Sequence, residues 1–187
     1  MHKQIFSFLI FLLFVSYLQG QRGNNAISIN VEAAIPGFQK ANGFGIYAKG
    51  LYGIGKSGQI TLSVGFANFS SADSVSSYEK GKITTRLIPV LFGYKQNLSR
   101  FFIEPKIGLG GLSGKFQLYG NGDYSHPSVT ALFCGISAGY AIKRMNLGIN
   151  FLAAHGIDNA SAGFWYDKNF HYTSIFIGYD LFSKQKY

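Results

Sequence analysis

From Ile27 onward the chain alternates apolar and polar positions in segments of about ten residues. A period of two places the two classes on opposite faces of a β-strand. The first segment, 27–35, sets Ile27, Ile29, Val31, Ala33 and Ile35 against Ser28, Asn30 and Glu32. The second, 44–54, sets Phe44, Ile46, Ala48, Tyr52 and Ile54 against Gly45, Tyr47, Lys49 and Gly53. The third, 60–66, opposes Ile60, Leu62, Val64 and Phe66 to Thr61, Ser63 and Gly65. The fourth, 84–94, is apolar on both faces through Leu87, Ile88, Pro89, Val90 and Leu91, and its register is ambiguous. Four more follow at 101–111, 129–141, 147–153 and 171–182, with Glu104, Lys106, Ser137, Asn150, Ser174 and Asp180 on their polar faces. No segment carries a helical period. The pattern predicts eight strands.

The links between the segments alternate in length. Residues 55–58, 95–99 and 143–146 are short and turn-like, whereas 36–43, 69–83, 112–128 and 154–170 are longer on average. An even number of strands with short turns at one end and long loops at the other matches an eight-stranded antiparallel up-and-down transmembrane β-barrel. On that reading both termini and the short turns lie in the periplasm, and the four longer loops lie outside the cell.

Alternation alone does not say which face is inside, because a secreted soluble sandwich or barrel also alternates. Composition favours the inverted arrangement. Only 13% of residues are charged although 47% are hydrophobic, where a soluble domain carries about 25% charge. The polar faces are rich in Gly, Ser, Asn and Thr but poor in the charges that a water-facing surface carries. Aromatic residues such as Phe44, Tyr52, Phe66, Tyr94, Phe101, Tyr140 and Tyr179 stand near strand ends, which suits girdles at two membrane interfaces. Hydrocarbon offers no partner to backbone N–H or C=O groups, so a sheet crosses it only when closed.

The first twenty residues read as a cleaved secretory signal. His2 and Lys3 precede an apolar stretch from Ile5 to Leu18, and Gly20-Gln21 offers a cleavage point; the stretch is too short to span a bilayer as a helix. No cysteine lies near that point, so a lipid anchor is not expected. The domain boundaries follow as 1–20 for the signal and 21–187 for the barrel. The single cysteine, Cys134, cannot form an internal disulfide and reads as a small strand residue. The net charge is +9. Its carriers, including Lys56, Lys95, Arg100, Lys143, Arg144, Lys184 and Lys186, fall at turns and chain ends rather than in an aromatic-interleaved stripe. They suit solvation and attraction to anionic lipid or lipopolysaccharide, not nucleic acid.

Three stretches carry a family resemblance. They are Leu87-Ile88-Pro89-Val90-Leu91-Phe92-Gly93-Tyr94, then Phe102-Ile103-Glu104-Pro105-Lys106-Ile107-Gly108-Leu109-Gly110, and the ending Ile175-Phe176-Ile177-Gly178-Tyr179-Asp180-Leu181-Phe182. In these the chain resembles the small outer-membrane β-barrel proteins similar to outer-membrane proteins A and X, often labelled the porin family. The resemblance implies a Gram-negative outer-membrane barrel, inserted by the barrel-assembly machinery, with a structural, adhesive or surface-interaction role.

Candidate chemistry is sparse. Glu32, Lys49, Glu104, Lys106 and Asp180 share the inward parity, and charges there must be paired; they suggest a salt-bridge network that plugs the lumen, with a narrow ion path as the alternative. Arg86 joins this network or sits at the upper rim, according to the register of its strand. In the last outer loop Phe164, Trp165 and Tyr166 are either a candidate binding surface for a protein partner or interfacial anchors, while Phe170 and Tyr172 suit interfacial anchoring. His155, Asp158, Ser161, Asp167, His171 and Ser174 supply the residue types of a rim lipid hydrolase, but the stretch after His155 lacks the Ser-Asn expected there. No nucleotide loop or zinc spacing occurs in the chain, so neither a cofactor nor a metal is implied, and the protein is not expected to be an enzyme.

Overall fold

A computed structural model describes residues 25–35, 42–74, 80–118, 123–125, 128–157 and 169–184. The segment 1–20 and the loop residues Asp158, Ser161, Phe164, Trp165, Tyr166 and Asp167 lie outside the described residues. Those described form nine antiparallel strands: β1 (Asn25–Ile35), β2 (Asn42–Ile54), β3 (Gly58–Ser74), β4 (Lys80–Leu98), β5 (Phe101–Leu118), β6 (Asp123–Ser125), β7 (Val129–Ile142), β8 (Met145–Gly156) and β9 (Asn169–Lys184). The short β6 pairs with β5 just beyond the end of β7, as an interrupted continuation of that strand. The wall is therefore eight strands thick in circumference, and it closes where β4 pairs with β5 and β1 with β9.

The strands tilt steeply. The rung Arg86–Asn68–Phe44–Ala33–Ile175–Ile149–Ala138–Ile103 returns to β4 at Gln96, a stagger of ten residues from 86 to 96. With strands ~4.8 Å apart and ~3.3 Å per residue, that stagger sets a tilt of about 40°. Sharp turns join the strands at one end. Each holds a residue at positive φ: Gly55 (65°), Ser99 (63°) and Lys143 (54°). The turns are fastened to their neighbours by Asn97 N to Ser57 O (2.7 Å), Ala141 N to Arg100 O (2.7 Å) and Asp180 N to Arg144 O (2.8 Å). The first and last strands also meet at this turn end, where Asn25 pairs with Lys184.

Exposure is inverted relative to a soluble domain. Ile27, Ile29, Val31, Ile46, Leu62, Val64, Ile107, Leu109, Ile149, Ile175 and Ile177 point outward and are exposed, while Glu32, Lys49, Glu104 and Asn150 are buried within. Strand β4, ambiguous in sequence, resolves on the same rule: Leu87 is 0% exposed and Ile88 56%. On β5 the outward apolar run from Phe101 to Leu109 covers about 20 Å of barrel height at this tilt. Its turn-end edge is aromatic: Phe101 and Tyr140 pack edge-to-face at 5.0 Å, and Arg100 Nη1 donates to Tyr140 OH at 3.2 Å.

The long links are shorter than the alternation suggests. Residues 69–74 and 80–83 continue β3 and β4, and 112–118 continue β5. Beyond the outward apolar band these stretches are polar on one face and mixed on the other, so the period fades while the backbone ladder persists, with Gly81 still paired to Leu118.

Candidate functional site in the lumen and at the rim

Inward parity gathers three layers of side chains inside the barrel. Nearest the turns, Lys95 Nζ donates to Asn146 Oδ1 at 3.0 Å and lies 4.1 Å from the centre of the Phe102 ring. Asn146 Nδ2 in turn donates to Asp180 Oδ1 at 3.2 Å.

The middle layer holds the remaining inward charges. Lys49 Nζ meets Glu104 Oε2 at 2.7 Å, and Thr61 donates to Glu104 Oε1 at 2.8 Å. Glu32 accepts from Tyr172 OH (2.6 Å), Ser174 Oγ (2.9 Å) and Asn150 Nδ2 (3.0 Å). Asn150 also accepts, through Oδ1, from Lys106 Nζ (2.9 Å) and Ser137 Oγ (3.0 Å). A single amide thus ties an anion to a cation that do not touch each other. Glycine makes room here: a Cβ on Gly45 would lie 2.7 Å from Glu32 Oε1, and one on Gly65 would enter the Tyr47 ring.

The third layer, towards the loop end, is apolar. Phe69, Leu87, Leu91, Leu112, Phe133, Leu152 and Phe170 form one buried cluster with Tyr47 and Tyr172. Phe69 packs on Tyr172 and Phe170 with ring centres at 4.5 and 5.1 Å, and the hydroxyls of Tyr47 and Tyr172 meet at 2.9 Å. A cavity of about 20 Å³ lies between the upper two layers, lined by Glu32, Tyr47, Lys49, Ser63 and Asn150 among others. That is the size of one water. Among the described residues Ser63 Oγ and Asn68 Oδ1 are buried without a partner.

Sequence positions sort plainly against this geometry. Glu32, Lys49, Glu104, Lys106 and Asp180 all lie in the lumen, but the direct ion pair is Lys49–Glu104; hydroxyls and amides meet the others. Parity in sequence had already placed Tyr47, Thr61, Ser137 and Asn150 on the polar faces, but not as partners of these charges, and Asn146 was read as part of the 143–146 turn. Phe170 and Tyr172, read as interfacial anchors, instead pack inside the lumen. Their even positions on β9 set them on the inward face with Ser174 and Phe176. Arg86 points outward and is exposed. His155 and His171 also project outward, with His155 Nδ1 2.6 Å from Asn169 Oδ1, whereas Ser174 is buried inside on Glu32. These two histidines and that serine stand on opposite sides of the wall, so they cannot form one hydrolytic triad. Cys134 is exposed on the outward face. No group of potential metal ligands occurs among the described residues.

No protein-family profile and no curated protein matches the chain. Solved structures do. The attachment invasion locus protein Ail of Yersinia pestis superposes with a TM-score of 0.56 at 17% identity, over 86% of this chain and 99% of that one. Ail in complex with the heparin analogue sucrose octasulfate gives 0.54 at 16% identity, over 86% and 99%. Neisserial surface protein A gives 0.58 at 11% identity, over 85% and 99%. The chain has the fold of the small eight-stranded outer-membrane β-barrels.

Proposed function

We propose that the protein is an integral outer-membrane barrel of a Gram-negative cell that interacts with its surroundings through its outer loops and transports nothing through its lumen. The observation that carries this reading is the inverted wall: a closed ring of outward Ile, Val, Leu and Phe around a buried polar network. Such a surface is stable in hydrocarbon and not in water. In this reading residues 1–20 direct export, the barrel-assembly machinery inserts the closed sheet, and the turn end with both termini faces the periplasm. Outer-leaflet lipid and lipopolysaccharide surround the wall. Glu32, Lys49, Glu104, Lys106 and Asp180, with their amide and hydroxyl partners, hold the lumen shut, and the protein catalyses nothing.

A surface role is supported by the likeness to Ail, an attachment invasion locus protein solved with a heparin analogue. Phe164, Trp165 and Tyr166 in the last outer loop are the proposed contact residues for a partner protein. The test is accessibility on intact cells. An epitope inserted within 158–168 should be labelled without permeabilisation, and one appended after Tyr187 only after the outer membrane is opened. Labelling of the second on intact cells, or of neither after permeabilisation, contradicts the reading.

A further inference from the structure

The middle layer of the lumen holds two hydrogen-bonded sets. Lys49, Glu104 and Thr61 form the first. Glu32 with Tyr172, Ser174 and Asn150 forms the second, which Asn150 extends to Lys106 and Ser137. Among the described residues no hydrogen bond joins the two sets. The cavity of about 20 Å³ lies between them, lined by Lys49 from the first and by Glu32, Lys106 and Asn150 from the second.

Ser63 lines the same cavity. It stands on the inward face of β3, paired with Lys49 on β2 and Leu91 on β4. The residue is 2% exposed, and its hydroxyl has no partner among the described residues. A hydroxyl taken out of bulk water and left unbonded keeps its full desolvation cost. Native structures meet such groups with protein atoms or with ordered water. Here no protein atom serves, but the space does. One water needs ~10–15 Å³ and two to four polar partners.

The lining also decides the class of occupant. A cation would face the ammoniums of both Lys49 and Lys106, and an anion would face the Glu32 carboxylate. An apolar occupant would leave the Ser63 hydroxyl unbonded. The occupant must therefore be small, neutral and able both to donate and to accept. We infer that the cavity is a binding site for one ordered water, held by Ser63 Oγ, which joins the Lys49–Glu104 pair to the Glu32 cluster. An ammonium has three N–H donors. Lys49 gives one to Glu104 and Lys106 one to Asn150, so donors remain for the water, which in turn donates towards Glu32. The bridge makes one network of two, and it sits where the polar layer meets the apolar side chain of Leu91.

The test uses the refolded full barrel and its Ser63→Ala variant. Both must first show the mobility difference between boiled and unboiled samples that marks a folded barrel. Wild-type crystals are grown in rubidium bromide and measured at a resolution that shows ordered water. The cavity should hold a single peak without anomalous signal, ~2.7–3.2 Å from Ser63 Oγ and from a polar atom of each set. No peak, a peak that reaches one set only, or an anomalous signal from either ion overturns the inference. Urea unfolding in lipid vesicles supplies a second, independent sign. If Ser63 is bonded to water, Ser63→Ala removes a satisfied group and should lower the midpoint with unchanged slope. If the hydroxyl has no partner, its loss relieves a buried polar group and the midpoint stays or rises, which equally overturns the inference.

Discussion

Glu104 has no exposed surface, yet it sits in a structure whose outside is apolar. Its charge is tolerable because Lys49 at 2.7 Å and the Thr61 hydroxyl at 2.8 Å replace the water it lost. The arrangement makes the pair asymmetric towards substitution. Glu104→Gln leaves the Lys49 ammonium buried against a neutral amide and should destabilise the barrel by about 3 kcal/mol. Lys49→Met with Glu104→Leu removes both charges and should recover most of that loss, because neither desolvation cost remains. Urea unfolding of the barrel in lipid vesicles, followed by tryptophan fluorescence, measures both. A double variant as unstable as Glu104→Gln would show that shape, rather than charge, matters at this site. The Glu32 cluster behaves differently. It is met by hydroxyl and amide donors from Tyr172, Ser174 and Asn150 rather than by a cation, so parity in sequence could place Glu32 inside but could not choose its partners.

At the scale of strands, period two in the sequence was enough for the faces of seven of the eight segments. The exception, β4, is instructive. Leu87 and Leu91 point inward to the apolar layer while Ile88 and Val90 point to the outside, so both faces are apolar for different reasons. The ambiguity was itself the trace of a buried apolar layer, which a purely polar lumen would not leave. The ladder above the band was not legible, because outside hydrocarbon neither face is forced to be apolar. That boundary can be tested by position. Val90→Arg, on the outward face within the band, should cost about 2–4 kcal/mol, and Ser70→Arg, two rows past the apolar edge, about 0–1 kcal/mol. Equal costs would mean that the band does not end where the outward residues change. The turns offer an opposite effect. Ser99 sits at φ 63° in a two-residue turn, where a side chain is strained and glycine is not. Ser99→Gly should therefore stabilise the fold by about 1 kcal/mol, read as a higher urea midpoint with unchanged slope.

Across the whole molecule the lumen holds two kinds of layer in series. The polar layers are joined by charge and hydrogen bonding, and the aromatic–aliphatic layer by packing. Eight strands leave an interior that side chains can fill, and the cavity between the layers holds about 20 Å³. The proposal that each layer closes the lumen predicts a specific pattern of conductance. Wild type in planar bilayers should show no steady opening. Phe133→Ala with Leu152→Ala hollows the upper layer but leaves Lys49, Glu104, Glu32 and Asn150 joined below, so it should also stay closed. Each truncation should cost roughly 2–5 kcal/mol in stability, which the unboiled gel mobility must show to be survivable. Glu32→Ala with Glu104→Ala loosens only the polar layer and should stay closed as well, because the apolar layer excludes hydrated ions. Only the combination of upper and lower truncations should pass current. Steady conductance in wild type would show that the lumen is an open path, and conductance in either set alone would show that the layer removed carried the whole barrier.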